Sequence, residues 1–203
     1  MKILLATNNR NKLKEIKHIF AINKFVPEII TPQNISKNKL DVDENGNSFI
    51  ENAEIKAKAF YKQFNIPTLS DDSGLEVEAL NGSPGLYSSR FAGINANDYD
   101  NRKKLIQQLK SLGLNESPAQ FRCVFCYFDG TNTIFSEGIC KGKVITEELG
   151  KGGFGYDPLF IPEGFYKTFA QLDEFVKNKI SHRAIALTNF IKLLKEQNLN
   201  LID

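Results

Sequence analysis

Ile66-Pro67-Thr68-Leu69-Ser70-Asp71-Asp72-Ser73-Gly74-Leu75 is an apolar run that passes into two carboxylates, two hydroxyls and a glycine. A second extended segment, Leu75 to Leu80, follows at once. The pattern predicts a strand that breaks into a short acidic loop before the chain extends again. Acidic side chains at such a break are a common way to hold Mg²⁺ against a phosphate. A polar turn with two solvated aspartates is the plainer account of the same residues. If the strand instead continues through the acids, Asp71 and Asp72 point to opposite faces and do not share a metal. Asp72 then needs a partner distant in sequence, and Asp71 becomes a structural group.

The surrounding chain has 203 residues, 41% hydrophobic and 25% charged, enough for a single domain with a proper core. A net charge of only +2 argues against a general nucleic-acid or membrane-surface binder. No apolar run reaches transmembrane length. Met1 to Ala6 reads as a first strand and not as a signal peptide, and the three cysteines fit a reducing cytoplasm. Cys123 and Cys126 form a C-x-x-C, but within the strand-like run Phe121–Phe128 positions three apart face opposite sides. Both read as small core residues and not as metal ligands.

Outward from the acidic stretch, residues 2–6 read as a strand, Asn11 to Ile22 as an amphipathic helix and Val26 to Ile30 as a second strand. Residues 32–47 are polar and turn-rich. Ser48 and Glu51 form a capping box for a helix that ends before Pro67, with Phe49, Ala53, Ala57, Phe60 and Phe64 on its apolar face. Lys56 reads as a solvated residue out of phase with that face. A third helix is predicted from Asn97 to Leu112. Residues 119–128 and 133–140 flank Asp129-Gly130-Thr131-Asn132 and predict a β-hairpin. A glycine-rich loop, Gly150 to Gly155, precedes a short strand at 159–161. A last helix runs from Ser181, its N-cap, to about Gln197. The mixture implies an α/β or α+β fold around a mixed sheet.

Four further stretches suggest chemistry. Thr7-Asn8-Asn9-Arg10-Asn11-Lys12 opens the first helix, where free N–H groups and basic side chains suit a phosphate. It contains no glycine and is not a Walker motif. Asp43 and Glu44 lie in an acidic segment before the Ser48 helix. In Gly152-Gly153-Phe154-Gly155-Tyr156-Asp157-Pro158 the glycines allow close backbone approach and Phe154 can stack on a planar ring. His182 and Arg183 stand in the first turn of the last helix, against the dipole preference, which suggests a bound acceptor or anion.

In this order, and with Ser48-Phe49-Ile50-Glu51-Asn52-Ala53, Pro84 to Gly93 and Ile180-Ser181-His182-Arg183-Ala184, the motifs resemble the inosine/xanthosine triphosphate pyrophosphatases. The resemblance covers nearly the whole chain. It implies an elongated α/β fold around a mixed central sheet flanked by helices, as one domain (1–203) with two lobes and an active-site cleft between them. It also implies a homodimer and Mg²⁺-dependent hydrolysis of ITP, dITP or XTP to monophosphate and pyrophosphate. By the same resemblance Thr7 to Lys12 and Lys56 hold the triphosphate, and Asp72 is catalytic and a metal ligand beside Ser73. A second metal carboxylate comes from Asp43 or Glu44, with Glu44 favoured. Phe154, Gly155, Tyr156, Asp157, Lys177, His182 and Arg183 contact the nucleoside. The chain departs from the family at Asn8, where glycine is common and where Asn tolerates left-handed geometry. It departs again at Val176, where Glu is common. A related pyrophosphatase with pyrimidine or modified-base preference, or a nucleotide- or RNA-binding module without turnover, are the competing expectations.

Overall fold

Lys2–Leu5, the first strand (β1), carries apolar side chains on both of its faces, as expected of a strand covered on both sides. In the computed structural model, which describes residues 1–36 and 40–196, it lies inside a six-stranded mixed sheet. The other strands are β2 (Glu28–Ile30), β3 (Thr68–Val77), β4 (Glu116–Phe128), β5 (Thr133–Ile145) and β6 (Phe160–Pro162), in the order β2-β1-β3-β4-β5-β6. β1 pairs in parallel with β2 and with β3, whereas β5 and β6 are antiparallel. The helices are α1 (Arg10–Ile22), α2 (Pro32–Ile35), α3 (Phe49–Phe64), α4 (Asp98–Ser111), α5 (Glu174–Ile180) and α6 (His182–Glu196). Gln197, the expected end of α6, lies outside the described residues.

The chain divides into two compact units. One comprises Met1–Asp72, Cys123–Gly138 and the chain from Arg183 onward; the other comprises Ser73–Arg122 and Ile139–His182. In the first unit the two-residue period of the strands sorts the core. Ile3, Leu5, Leu69, Cys123, Phe125 and Tyr127 meet Ile16, Ile19 and Phe20 of α1 and Leu187, Phe190 and Leu194 of α6. Leu4, Ala6 and Ile30 point the other way, onto Phe60 of α3. In the second unit Leu75, Val77, Phe121, Val144 and Phe160 pack with Leu105 and Leu109 of α4. Glu76, Gln120, Arg122, Lys141 and Lys143 border a groove of about 800 Å³ in that unit.

Several elements differ from the sequence expectation. β3 does not break at the acids; it runs for ten residues through Ser70, Asp71, Asp72, Ser73 and Gly74. The polar segment after β2 contains α2, and Lys177 stands on α5, a helix whose seven residues are too few for a clear period. Lys56 is buried, because it follows Phe49 by two helical turns and shares its face with Asn52, Ala53 and Phe60. The capping box of α3 is split: the Ser48 hydroxyl accepts from the Glu51 N–H, but the Glu51 carboxylate accepts from the N–H of Asn47. Among the described residues positive φ outside glycine is confined to Lys24, Asn65 and Asn81, so Asn8 holds ordinary geometry.

The hairpin forms as expected, with the Asp129 carboxylate accepting from the N–H groups of Thr131 and Asn132. Cys123 belongs to the core against α1 and α6, and Cys126, three residues on, faces the opposite side, where Glu54 and Lys58 of α3 act on it. Burial pushes the Cys126 thiol up to about 12, so it stays protonated at neutral pH.

Gly74 is required inside β3 by close approach, not by a turn. A Cβ there would stand 2.2 Å from the Gly85 carbonyl oxygen and 2.7 Å from the Ser88 hydroxyl. Backbone on one side leaves no room to yield, so Gly74→Ala is expected to lower stability by about 2 kcal/mol. Urea unfolding monitored by circular dichroism checks this; an unchanged midpoint would show that the backbone relaxes around the methyl group.

Candidate active site

The alternation of β3 separates its two acids. Asp71 points to the α1 and α6 side, where its carboxylate lies 2.8 Å from the Lys12 ammonium and 3.4 Å from an Arg183 Nη. The other Nη of Arg183 donates to Glu15 of α1. Glu15, Asp71 and Arg183 are all buried, and the Lys12 side chain is 19% exposed. Two acids and two bases therefore balance inside the first unit. Burial alone would raise Asp71, but Lys12, Arg183 and Lys56 together hold its carboxyl far below the ordinary range. Burial likewise disfavours the Lys12 ammonium, but Asp71 outweighs it and the lysine stays firmly charged.

Asp72 faces the α3 side. Its carboxylate accepts from the Asn52 amide at 3.0 Å, and the Asn52 carbonyl oxygen accepts from the Gly46 N–H at 2.8 Å. Lys56, one turn along α3 from Asn52, donates to Glu44 at 2.8 Å. Burial raises the Asp72 pKa, Lys56, Lys12 and Asn52 oppose that, and the Glu44 charge adds to it. Asp72 and Glu44 thus repel one another across a small polar cluster, and a cation between them would relieve the repulsion. Asp43, next in sequence, is exposed. Among the described residues no three His, Cys, Asp or Glu side chains form a ready metal cage. Mg²⁺ seldom uses one; it takes one or two carboxylates together with water and substrate phosphate. The residues present fit such an ion.

At the start of α1 the Asn9 side chain caps the helix, accepting from the N–H groups of Asn11 and Lys12 at 2.9 and 3.2 Å. Thr7 accepts from the Asn9 N–H at 3.1 Å, and Asn8 accepts from Gln33 at 2.9 Å. Asn8 to Asn11 are exposed. The helix opens toward solvent with Arg10 in its first turn and no acidic residue there.

The second unit gathers a different set. Asp157 is buried, and one of its oxygens accepts from Lys177 at 2.5 Å and from the Phe154 N–H at 2.8 Å. Gly153 is needed beside it, since a Cβ there would fall 2.0 Å from the Asp157 carboxylate. The Lys177 ammonium also lies 4.9 Å from the Phe154 ring centre and 5.6 Å from that of Phe169. Phe169 stacks on Phe121, and the buried His182 ring stacks on Phe121 at 4.7 Å and 13°. Tyr156 is turned inward, its hydroxyl donating to the Ser88 carbonyl at 2.8 Å.

Sequence reasoning gave no role to Glu15 or Asn52. Each is a polar residue inside an apolar helical stripe: Glu15 beside Ile16 and Ile19, Asn52 beside Phe49, Ala53 and Phe60. That misplaced polarity was the available signal. Arg183, expected to meet a bound acceptor or anion, is met instead by the protein's own carboxylates, Glu15 and Asp71. Ser73 follows Asp72 on β3 and is half-buried.

Comparison with known proteins agrees with this architecture. Residues 3–193 match the model of the Ham1 family. A dITP/XTP pyrophosphatase of Aquifex aeolicus is 42% identical over 204 residues, covering 96% of this chain and 97% of that protein. One from Nautilia profundicola is 42% identical over 203 residues, covering 98% and 100%. Among solved structures, a HAM1 protein from Coxiella burnetii superposes with a TM-score of 0.84 at 36% identity, covering 97% of this chain and 99% of its own. The Staphylococcus aureus Ham1 protein gives 0.83 at 37% identity, covering 98% and 100%. With its motifs, its sheet and nearly its whole length shared with these proteins, the chain belongs to the Ham1 family.

Proposed function

We propose that the chain is a nucleoside triphosphate pyrophosphatase that hydrolyses dITP, ITP and XTP to the monophosphate and pyrophosphate. The observation that carries the reading is the half-buried Asp72 carboxylate, held by Asn52 and set among Lys56 and Glu44. The names of the relatives supply the substrate class. Phosphoryl-type transfer asks a protein for positioning and charge neutralisation more than for covalent chemistry, and these residues offer both.

In this proposal Lys12, Lys56 and Arg10, with the Thr7–Lys12 loop, balance the triphosphate. Asp72 accepts a proton from the attacking water as its oxygen bonds to the α-phosphorus, and the bond to the bridging oxygen breaks to release pyrophosphate. Asp72 and Glu44 would hold Mg²⁺, Glu44 being preferred to the exposed Asp43. When bound, the ion supplies Lewis-acid polarisation of phosphate and water. The Glu15–Arg183–Asp71–Lys12 array keeps Lys12 charged and in place. Phe154 would stack on the purine, next to Gly155, Tyr156, Asp157 and Lys177. His182 would present a donor toward the 6-oxo acceptor that hypoxanthine and xanthine share, and Arg183, engaged by Glu15 and Asp71, would stand beside it as a fixed positive charge. Adenine offers a 6-amino donor there and leaves that buried donor unpaired, which is heavily penalised. The homodimer, the two lobes with a cleft between them and the cytoplasmic location are carried from the resemblance. Among the described residues no helix is long and apolar enough to cross a membrane.

Pyrophosphate release from ITP, dITP, XTP, GTP, ATP and UTP with Mg²⁺ is the direct test. Release is expected from the first three; preference for UTP would overturn the purine assignment, and no release at all would overturn the activity. Asp72→Asn is expected to lower kcat at least about a hundredfold without changing the circular dichroism spectrum; full activity would remove Asp72 from the chemistry. Asp71→Asn leaves buried cations underpaired and is expected to cost about 3 kcal/mol at neutral pH. The folded pKa of Asp71 lies below its unfolded value, so this stabilisation is complete above the unfolded pKa and is lost as pH falls toward the folded one. The gap between wild type and Asp71→Asn in urea should therefore narrow below about pH 5; a gap constant with pH would count against a charged Asp71.

A further inference from the structure

Gly155 is the joint of the Phe154–Asp157 segment, and both of its backbone polar groups are held by α4. Its N–H donates to the Asp98 carboxylate at 2.8 Å, and its carbonyl accepts from an Arg102 Nη at 3.0 Å. Asp98 and Arg102 stand four residues apart, on one face of α4. Arg102 is anchored in turn by Glu148 at 3.1 Å. Asp98 is not needed to start the helix. Asn97 is the N-cap and exchanges reciprocal hydrogen bonds with Asp100.

The residues on either side of Gly155 are already fixed. The Phe154 N–H is tied to Asp157, and the Tyr156 hydroxyl to the Ser88 carbonyl. Gly155 itself has φ +60°, a region that glycine enters freely and leaves as freely. The turn from Phe154 to Asp157 is closed by its own hydrogen bonds, from the Phe154 N–H to the Asp157 carboxylate and from the Asp157 N–H to the Phe154 carbonyl, so the two grips from α4 fix where that turn sits, and the Phe154 ring with it.

We infer that Asp98 and Arg102 are positioning residues for base recognition: they clamp Gly155 to α4 and so hold the whole Phe154–Asp157 turn, with the Phe154 ring it carries, in one place. The inference rests on the reading of Phe154–Asp157 as the base-contacting segment. The clamp touches neither the triphosphate nor the reacting atoms. Its loss should weaken nucleoside binding and selectivity and leave the chemical step alone.

Steady-state kinetics with ITP and ATP on Asp98→Ala, Asp98→Asn and Phe154→Ala, with melting temperatures alongside, form the test. Asp98→Ala is expected to raise KM for ITP roughly tenfold, the size of a lost charge-assisted hydrogen bond. Its kcat should stay within about twofold and its ITP-over-ATP preference should fall. Asp98→Asn keeps an acceptor for the Gly155 N–H and should restore wild-type KM. Asp98 is exposed and its bond to Gly155 is made in the free protein too, so the melting temperature should move by no more than about 5 °C. If Phe154→Ala raises KM and Asp98→Ala does not, the clamp is overturned while the base-contacting segment stands. If neither changes KM, the reading of the segment fails and the clamp with it. An Asp98→Asn variant as impaired as Asp98→Ala would show that charge matters and not the bond to Gly155, which also overturns the inference.

Discussion

Asp71 sits almost fully enclosed on a strand whose two faces are both covered, a place where an ionised carboxylate is tolerated only if cations meet it. Lys12 and Arg183 do so, and Glu15 offsets the second of them. These four residues come from α1, β3 and α6, and their mutual neutralisation ties those three elements in one arrangement. Such an array adds little net stability compared with an apolar packing of the same volume, but removing one member leaves a buried charge exposed to its full desolvation cost. The start of α1, the middle of β3 and the start of α6 cannot slide past one another without separating charges.

The same strand explains why two neighbouring acids differ in character. Alternation sends Asp71 among cations, which drive its carboxyl down, and Asp72 toward Asn52 and Glu44, where burial and a like charge push it up. One residue of register decides which acid is a buried counter-ion and which is a half-exposed base. A slip of one position would exchange them and turn every core side chain of the strand to the wrong face.

The amino-acid pattern disclosed the elements that carry their own local signals. α1 announced itself by period, α3 by period and cap, and the hairpin by Asp129 to Asn132. The opposed faces of Cys123 and Cys126 followed from strand period alone. What stayed hidden depended on distant partners. β3 passes through its acids because Lys12, Arg183 and Asn52 satisfy them, and no local cue reveals partners up to 112 residues away. Lys56 belongs to the buried face because two full turns return it to the phase of Phe49. Residues of the candidate site were legible as motif members. Their supports, Glu15, Asn52, Asp98 and Arg102, were visible only as polar residues whose partners no motif supplies.

The chain passes between the two units at Asp72/Ser73, Arg122/Cys123, Gly138/Ile139 and His182/Arg183. Three of those crossings lie within β3, β4 and β5 and the fourth at the head of α6. Neither unit is an uninterrupted stretch of polypeptide. No single truncation releases one of them intact, and limited proteolysis at any of these crossings would have to cut a strand or a helix and not a linker. The peptide bond after Asp72 and the one after His182 thus join residues assigned to different units, so a candidate catalytic residue and a candidate base contact each stand at the last residue of a segment.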